Sequence, residues 1–141
     1  MKRIILLVIA TLSVLVTDAQ CLKIEYAGDV LSEKEQQLVE RMMVYQIRFY
    51  RLFGLRDSLK VKLTVFNERS VAEFYLDTIG VSKNNSVKNI NGLYSSKRKE
   101  AIIMEMDKNR KKGLSVIYHE LSHYLTREIT GTNPPMWLSE G

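Results

Sequence analysis

The chain places its only two histidines in one five-residue stretch, HELSH at residues 119 to 123, with a glutamate directly after the first. Two histidines scattered at random would fall four apart with Glu second in roughly 0.1% of such chains, so the grouping calls for a chemical reason. The surrounding segment, GLSVIYHELSHYLTREITG, also constrains local structure. Gly113 precedes it and Gly131 follows it, which predicts a helix from about Leu114 to Ile129. At about 100° per residue, Leu114, Ile117, Tyr118, Leu121 and Leu125 share one arc, while His119 and His123 lie about 40° apart on nearly the opposite side. The pattern is an apolar back and a histidine front. Ser115, Ser122 and Thr126 surround that front and leave room for something to approach.

Four residues of helix rise about 6 Å, so imidazoles on successive turns can converge on one ion with Zn–N distances of about 2.0–2.1 Å. Glu120 sits about 100° round from His119 and about 60° from His123, displaced from the ligand pair but beside the open coordination position. There it can act as general base toward a zinc-bound water and pass the proton to a leaving amine. The same five residues are also compatible with two surface histidines and a helix-favouring glutamate. A catalytic zinc takes a third protein ligand, and the known patterns divide on it. The metzincin pattern needs Gly at 126 and His at 129, where this chain has Thr126 and Ile129. A GTxxD pattern would put its aspartate at 135, and although Gly131 and Thr132 are present, the position is Pro135. A glutamate from a following helix remains.

The sequence ends PPMWLSEG, with Pro134 and Pro135 suited to starting a helix, Trp137 and Leu138 to anchoring it, and Glu140 17 residues after His123. HELSHYL followed by PPMWLSEG resembles the gluzincin zinc metallopeptidases, specifically the peptidase-MA-like domains of exported bacterial proteins, in which a WLxEG-type segment supplies the third zinc ligand. The resemblance implies Zn2+ as cofactor, a peptide or protein as substrate, His119, His123 and Glu140 as metal ligands and Glu120 as general base. It implies an α+β fold, a zincin-like N-terminal subdomain with a mixed sheet, an edge strand by the cleft, the HExxH helix beneath it and a second helix presenting the glutamate. For Glu140 the plainer alternative is a carboxylate favoured near a helix N-terminus. In the family that helix continues into a C-terminal subdomain, which this sequence lacks after Gly141. The alternative function is therefore a truncated, non-catalytic metal-binding or envelope-associated module that retains the peptidase scaffold.

The rest of the chain is consistent with that class. LKIEY (22–26) alternates like a half-buried strand, and Ser32 with Glu35 forms a capping box opening a long helix that Gly54 ends. On this helix Leu38, Met42, Tyr45, Phe49 and Leu52 recur at three and four, a stripe expected to be core. LKVKLTVF (59–66) reads as a strand with Leu59, Val61, Leu63 and Val65 on one face. A short helix follows over 69–79, then a polar loop, then NGLYSS and EAIIMEM as a hairpin with the basic turn KRK. A bound peptide is expected to lie extended along the edge strand, within EAIIM.

The start, MKRIILLVIATLSVLVTDAQ, has Lys2 and Arg3 ahead of an apolar run from Ile4 to Val16 and small residues at Thr17 to Ala19. It reads as a signal peptide over 1–19, with 20–141 as the metallopeptidase domain, which implies an exported protein of periplasm, envelope or medium. The run is too short to persist as a membrane span. Cys21 is the single cysteine, so the chain holds no internal disulfide; it is an incidental thiol or a lipid attachment point. Loss of Lys2, Arg3 and Asp18 takes the net charge from +5 to +4. The basic runs SSKRKE (95–100) and DKNRKK (107–112) read as solvated turns, which argues against nucleic-acid binding and leaves electrostatic surface adhesion as a minor alternative.

Overall fold

The computed structural model describes residues 22–56, 58–81 and 90–132, so the expected signal, Cys21 and the PPMWLSEG segment with Glu140 lie outside the described residues. The described residues form an α+β arrangement: β1 (Leu22–Gly28), α1 (Glu33–Arg51), β2 (Leu59–Val65), α2 (Arg69–Thr78), β3 (Gly92–Ser95), β4 (Glu100–Ile103) and α3 (Arg110–Thr130). The four strands make one mixed sheet in the order β1-β2-β4-β3. β1 and β4 each pair parallel with β2, and β3 pairs antiparallel with β4 across the turn 96–99. Order, type and approximate bounds agree with the sequence.

Period-two alternation explains how the sheet is covered. Leu59, Val61, Leu63 and Val65 of β2, with Ala101 and Ile103 of β4, point to one face and pack on Val39, Met43 and Ile47 of α1 and Ile117, Leu121, Tyr124 and Leu125 of α3. The other face is smaller, with Ile102, Met104 and Phe66 meeting Ala72 and Leu76 of α2. On that second face Glu100 is fully buried yet satisfied by Thr64 Oγ1 at 2.5 Å, the Tyr75 hydroxyl at 2.7 Å and Arg98 Nε at 2.7 Å. Burial alone would raise its pKa; the three donors together, with Lys62 nearby, hold it below the usual carboxylate value.

α1 and α3 run side by side in the same direction. Glu35 at the start of α1 takes a bidentate contact from Arg110 at the start of α3, Gln46 Nε2 donates to the Tyr118 carbonyl at 3.4 Å, and Tyr50 Oη meets Thr126 Oγ1 at 3.0 Å. Beyond α1, Arg56 pairs with Glu128. The capping box is formed as expected: the Glu35 amide donates to Ser32 Oγ and the Ser32 amide donates to the Glu35 carboxylate.

Four expectations are corrected. The stripe assigned to the core is turned outward, with Tyr45, Phe49 and Leu52 72%, 57% and 81% exposed, Leu38 at the surface and Met42 half-buried. The buried side of α1 is instead Val39, Met43, Gln46 and Ile47, because the single amide Gln46 is accommodated against α3 and does not force that face into water. Second, α3 begins at Arg110: Asn109 caps it by accepting from the Lys112 amide, so part of DKNRKK is helix, and Gly113 lies inside it. Third, Tyr118 stands at the surface and Leu114 is half-buried, the core arc having shifted toward Tyr124. Fourth, EAII is the interior strand β4, and the strand bordering the cleft is β3.

Candidate metal centre

α3 carries the site and its packing decides which side faces out. Ile117, Leu121, Tyr124 and Leu125 are drawn onto the sheet, so His119 and His123 project away from it. Tyr124 anchors the helix: its hydroxyl accepts from the Lys60 amide of β2 at 3.0 Å, and its ring meets Tyr94 edge-on at 6.0 Å. Burial pushes the Tyr94 and Tyr124 hydroxyls up to about 12, so both stay protonated as packing groups at neutral pH.

The two imidazoles are close and mutually perpendicular, with centroids 4.5 Å apart, planes at 85° and Nε2 atoms 3.0 Å apart. Nitrogens each about 2.0–2.1 Å from a tetrahedral ion stand roughly 3.4 Å apart, so a shared cation needs only a small opening of the pair. The nearby hydroxyls do not compete for it. Ser122 Oγ donates to the His119 carbonyl at 2.6 Å and Thr126 Oγ1 to the Ser122 carbonyl at 2.9 Å.

Glu120 points a different way. It is 6% exposed and lies against the start of β3, so close that a Cβ on Gly92 would come within 3.1 Å of its Cγ, 3.2 Å of its Oε1 and 2.5 Å of Val116 Cγ1. A residue without a side chain at 92 is what lets strand and helix approach. The preceding Asn91 is fixed on both sides, its carbonyl accepting from the Met104 amide at 2.9 Å and its Oδ1 from Arg69 at 3.2 Å. Between Ile90, Asn91 and Gly92 on one side and Lys112, His119 and Glu120 on the other opens a cavity of about 400 Å³. A larger one, about 540 Å³, lies between Leu22 and Ile24 of β1 and the Glu40 side of α1, remote from the histidines.

The structure thus brings His119 and His123 together, turns Glu120 toward the start of β3, and leaves Glu140 outside the described residues. Among those residues no third His, Cys, Asp or Glu joins the histidines to form a ligand set. Asn91 and Gly92 were not singled out from sequence; the signal available was the NG pair directly before a strand, which marks close backbone approach as readily as a turn. No described helix is long and apolar enough to cross a membrane. Comparison of the chain with protein families, curated proteins and solved structures finds no match.

Proposed function

We propose that the chain is an exported zinc-dependent peptidase of gluzincin type. The observation that carries the reading is the pair of Nε2 atoms 3.0 Å apart on the outer face of α3; Glu120 of the same helix lines, with His119, a cavity walled by the start of β3. His119 and His123 would hold the ion and Glu140 would complete the set. Zinc, when bound, supplies a Lewis acid that polarises a carbonyl and lowers the pKa of water. Glu120 takes a proton from the attacking water and delivers it to the departing amine. Its burial against Gly92 fixes where the carboxylate stands, and the cleft wall is β3, along whose border an extended substrate lies.

Zinc titration and peptide hydrolysis on the same preparations test this. The parent is expected to bind one zinc per chain and to cleave an unstructured peptide; Glu120→Gln keeps the zinc and loses about 10²–10⁴ in rate. His119→Ala loses the zinc itself. A parent that takes up no zinc, or a Glu120→Gln variant as fast as the parent, overturns the proposal.

A further inference from the structure

The sheet has two borders among the described residues, and β3, the one beside the histidines, is the shorter. The other is β1, seven residues paired with β2 in unbroken register and open on its far side. It carries no proline and no bulge, two of the devices by which an edge strand refuses a further neighbour. The Asp29 amide donates to the Val65 carbonyl, and main-chain groups alternate along a parallel ladder. Those of Lys23, Glu25 and Ala27 are therefore turned to β2, and those of Leu22, Ile24 and Tyr26 to the free border. Side-chain burial also stops short there. Leu22, Ile24 and Tyr26 are only half-buried, although their partners Leu59, Val61 and Leu63 on β2 are buried. A cavity of about 540 Å³ opens beside Leu22 and Ile24, next to Glu40 and Val44 of α1.

We infer that β1 is a dimer contact, pairing antiparallel with β1 of a second copy of this chain about a two-fold axis at Ile24, so that the two sheets join into one. Charge selects both the partner and the register. About that axis Leu22 faces the second copy's Tyr26, Ile24 faces its counterpart, and Lys23 faces the second copy's Glu25, once on each side. The three outward residues of each strand then exchange main-chain hydrogen bonds, and the Lys23–Glu25 pairs fall at the closely spaced positions, about 4.5 Å between Cα atoms. Lys23 and Glu25 are exposed on the face away from α1, where the Lys60 ammonium, 3.8 Å from Glu25, keeps that carboxylate. A slip of one residue sets outward main-chain groups against inward ones. A slip of two sets Lys23 against Lys23 or Glu25 against Glu25, like charges directly opposite each other. An unrelated strand has no reason to carry the reversed pattern of a lysine and a glutamate two apart; a second copy carries it by symmetry. The inference is independent of the metal: the joined sheet runs β3-β4-β2-β1-β1-β2-β4-β3 and leaves both histidine borders at its ends.

Sedimentation of the purified chain at low salt tests this. The mass is expected to be that of two chains at high concentration and to fall toward one on dilution. Lys23→Glu and Glu25→Lys, both at exposed positions, should each raise the dissociation constant about 10-fold or more, since either change sets like charges opposite each other at both contacts. Mixed in equal amounts, the two variants should recover the dimer, because each presents the charges the other lacks; variants that had merely misfolded are not cured by mixing. Phe49→Asp, on the exposed stripe of α1, should leave the dimer intact. In the parent, hydrogen exchange at the Leu22, Ile24 and Tyr26 amides should slow as concentration rises, while the Glu25 and Ala27 amides, already turned to β2, stay as they are. A chain that remains monomeric, a dimer indifferent to both charge reversals or dissolved by Phe49→Asp, or a mixture that fails to pair overturns the inference. So does slow exchange at Leu22, Ile24 and Tyr26 at every dilution, which would show the border covered from within the same chain.

Discussion

Glu35 serves two partners, the Ser32 amide and Arg110, and the pair with Arg110 needs it ionised. Its carboxylate accepts from the Ser32 amide at 2.8 Å and from Arg110 at 2.6 and 2.7 Å, and Arg110 foremost holds its pKa down from 4.5 to about 2 against a smaller opposing effect of burial. The folded value lies below the unfolded one. The stabilisation is therefore complete above about pH 4.5 and is lost as the pH falls toward 2. Replacing Glu35 by Gln should cost on the order of 1–2 kcal/mol at pH 7. Urea denaturation across pH 2 to 7 checks this: the gap between parent and variant should close on the acid side of that window.

At the scale of elements, α3 sets the precision of the site, and its first turns are packed more tightly than its composition suggests. A Cβ on Gly113 would meet Met106 Sδ at 2.3 Å, and Met106 has no exposure through which to withdraw. Alanine is a better helix former than glycine by about 1 kcal/mol, yet overpacking a core costs typically about 1–3, so Gly113→Ala should destabilise on balance. A lowered melting temperature for Gly113→Ala, with the same change costing less when made on a Met106→Ala background, tests the sign. This glycine also shows why the start of α3 was misread: a glycine before a periodic run resembles a boundary, whereas here it is a contact. Strand and helix order was legible because β2 alternates strictly and Ser32, Gly54, Gly80 and Gly131 punctuate the chain. The face of α1 was not. Two apolar stripes run along that helix, Leu38 to Leu52 and Val39 to Ile47, and only the partner helix decides which is covered. The histidine pair was legible because helical spacing alone brings the rings together, but Asn91 and Gly92 arrive from a distant strand.

For the whole molecule, the described residues divide the proposed centre into parts of different origin. His119, His123 and Glu120 belong to one helix held at its start by Glu35, along its length by Tyr124 and near its end through Glu128. Zinc that binds the folded chain and not the unfolded one should raise stability by about 2.7 kcal/mol at a free concentration 100 times its dissociation constant. Calorimetry with and without zinc reads that increment as a rise in melting temperature; an unchanged temperature for a chain that binds the ion would show the unfolded chain binding it equally.

Among the described residues β3 has no neighbour beyond β4 and spans only four residues, about 13 Å. On the proposed reading, a guest aligned there through its main chain would be held by its amides whatever their sequence. Selection at such a margin would then follow from how readily a polypeptide can straighten, so unravelled tails would be taken before any compact partner, and kinship among them would count for little.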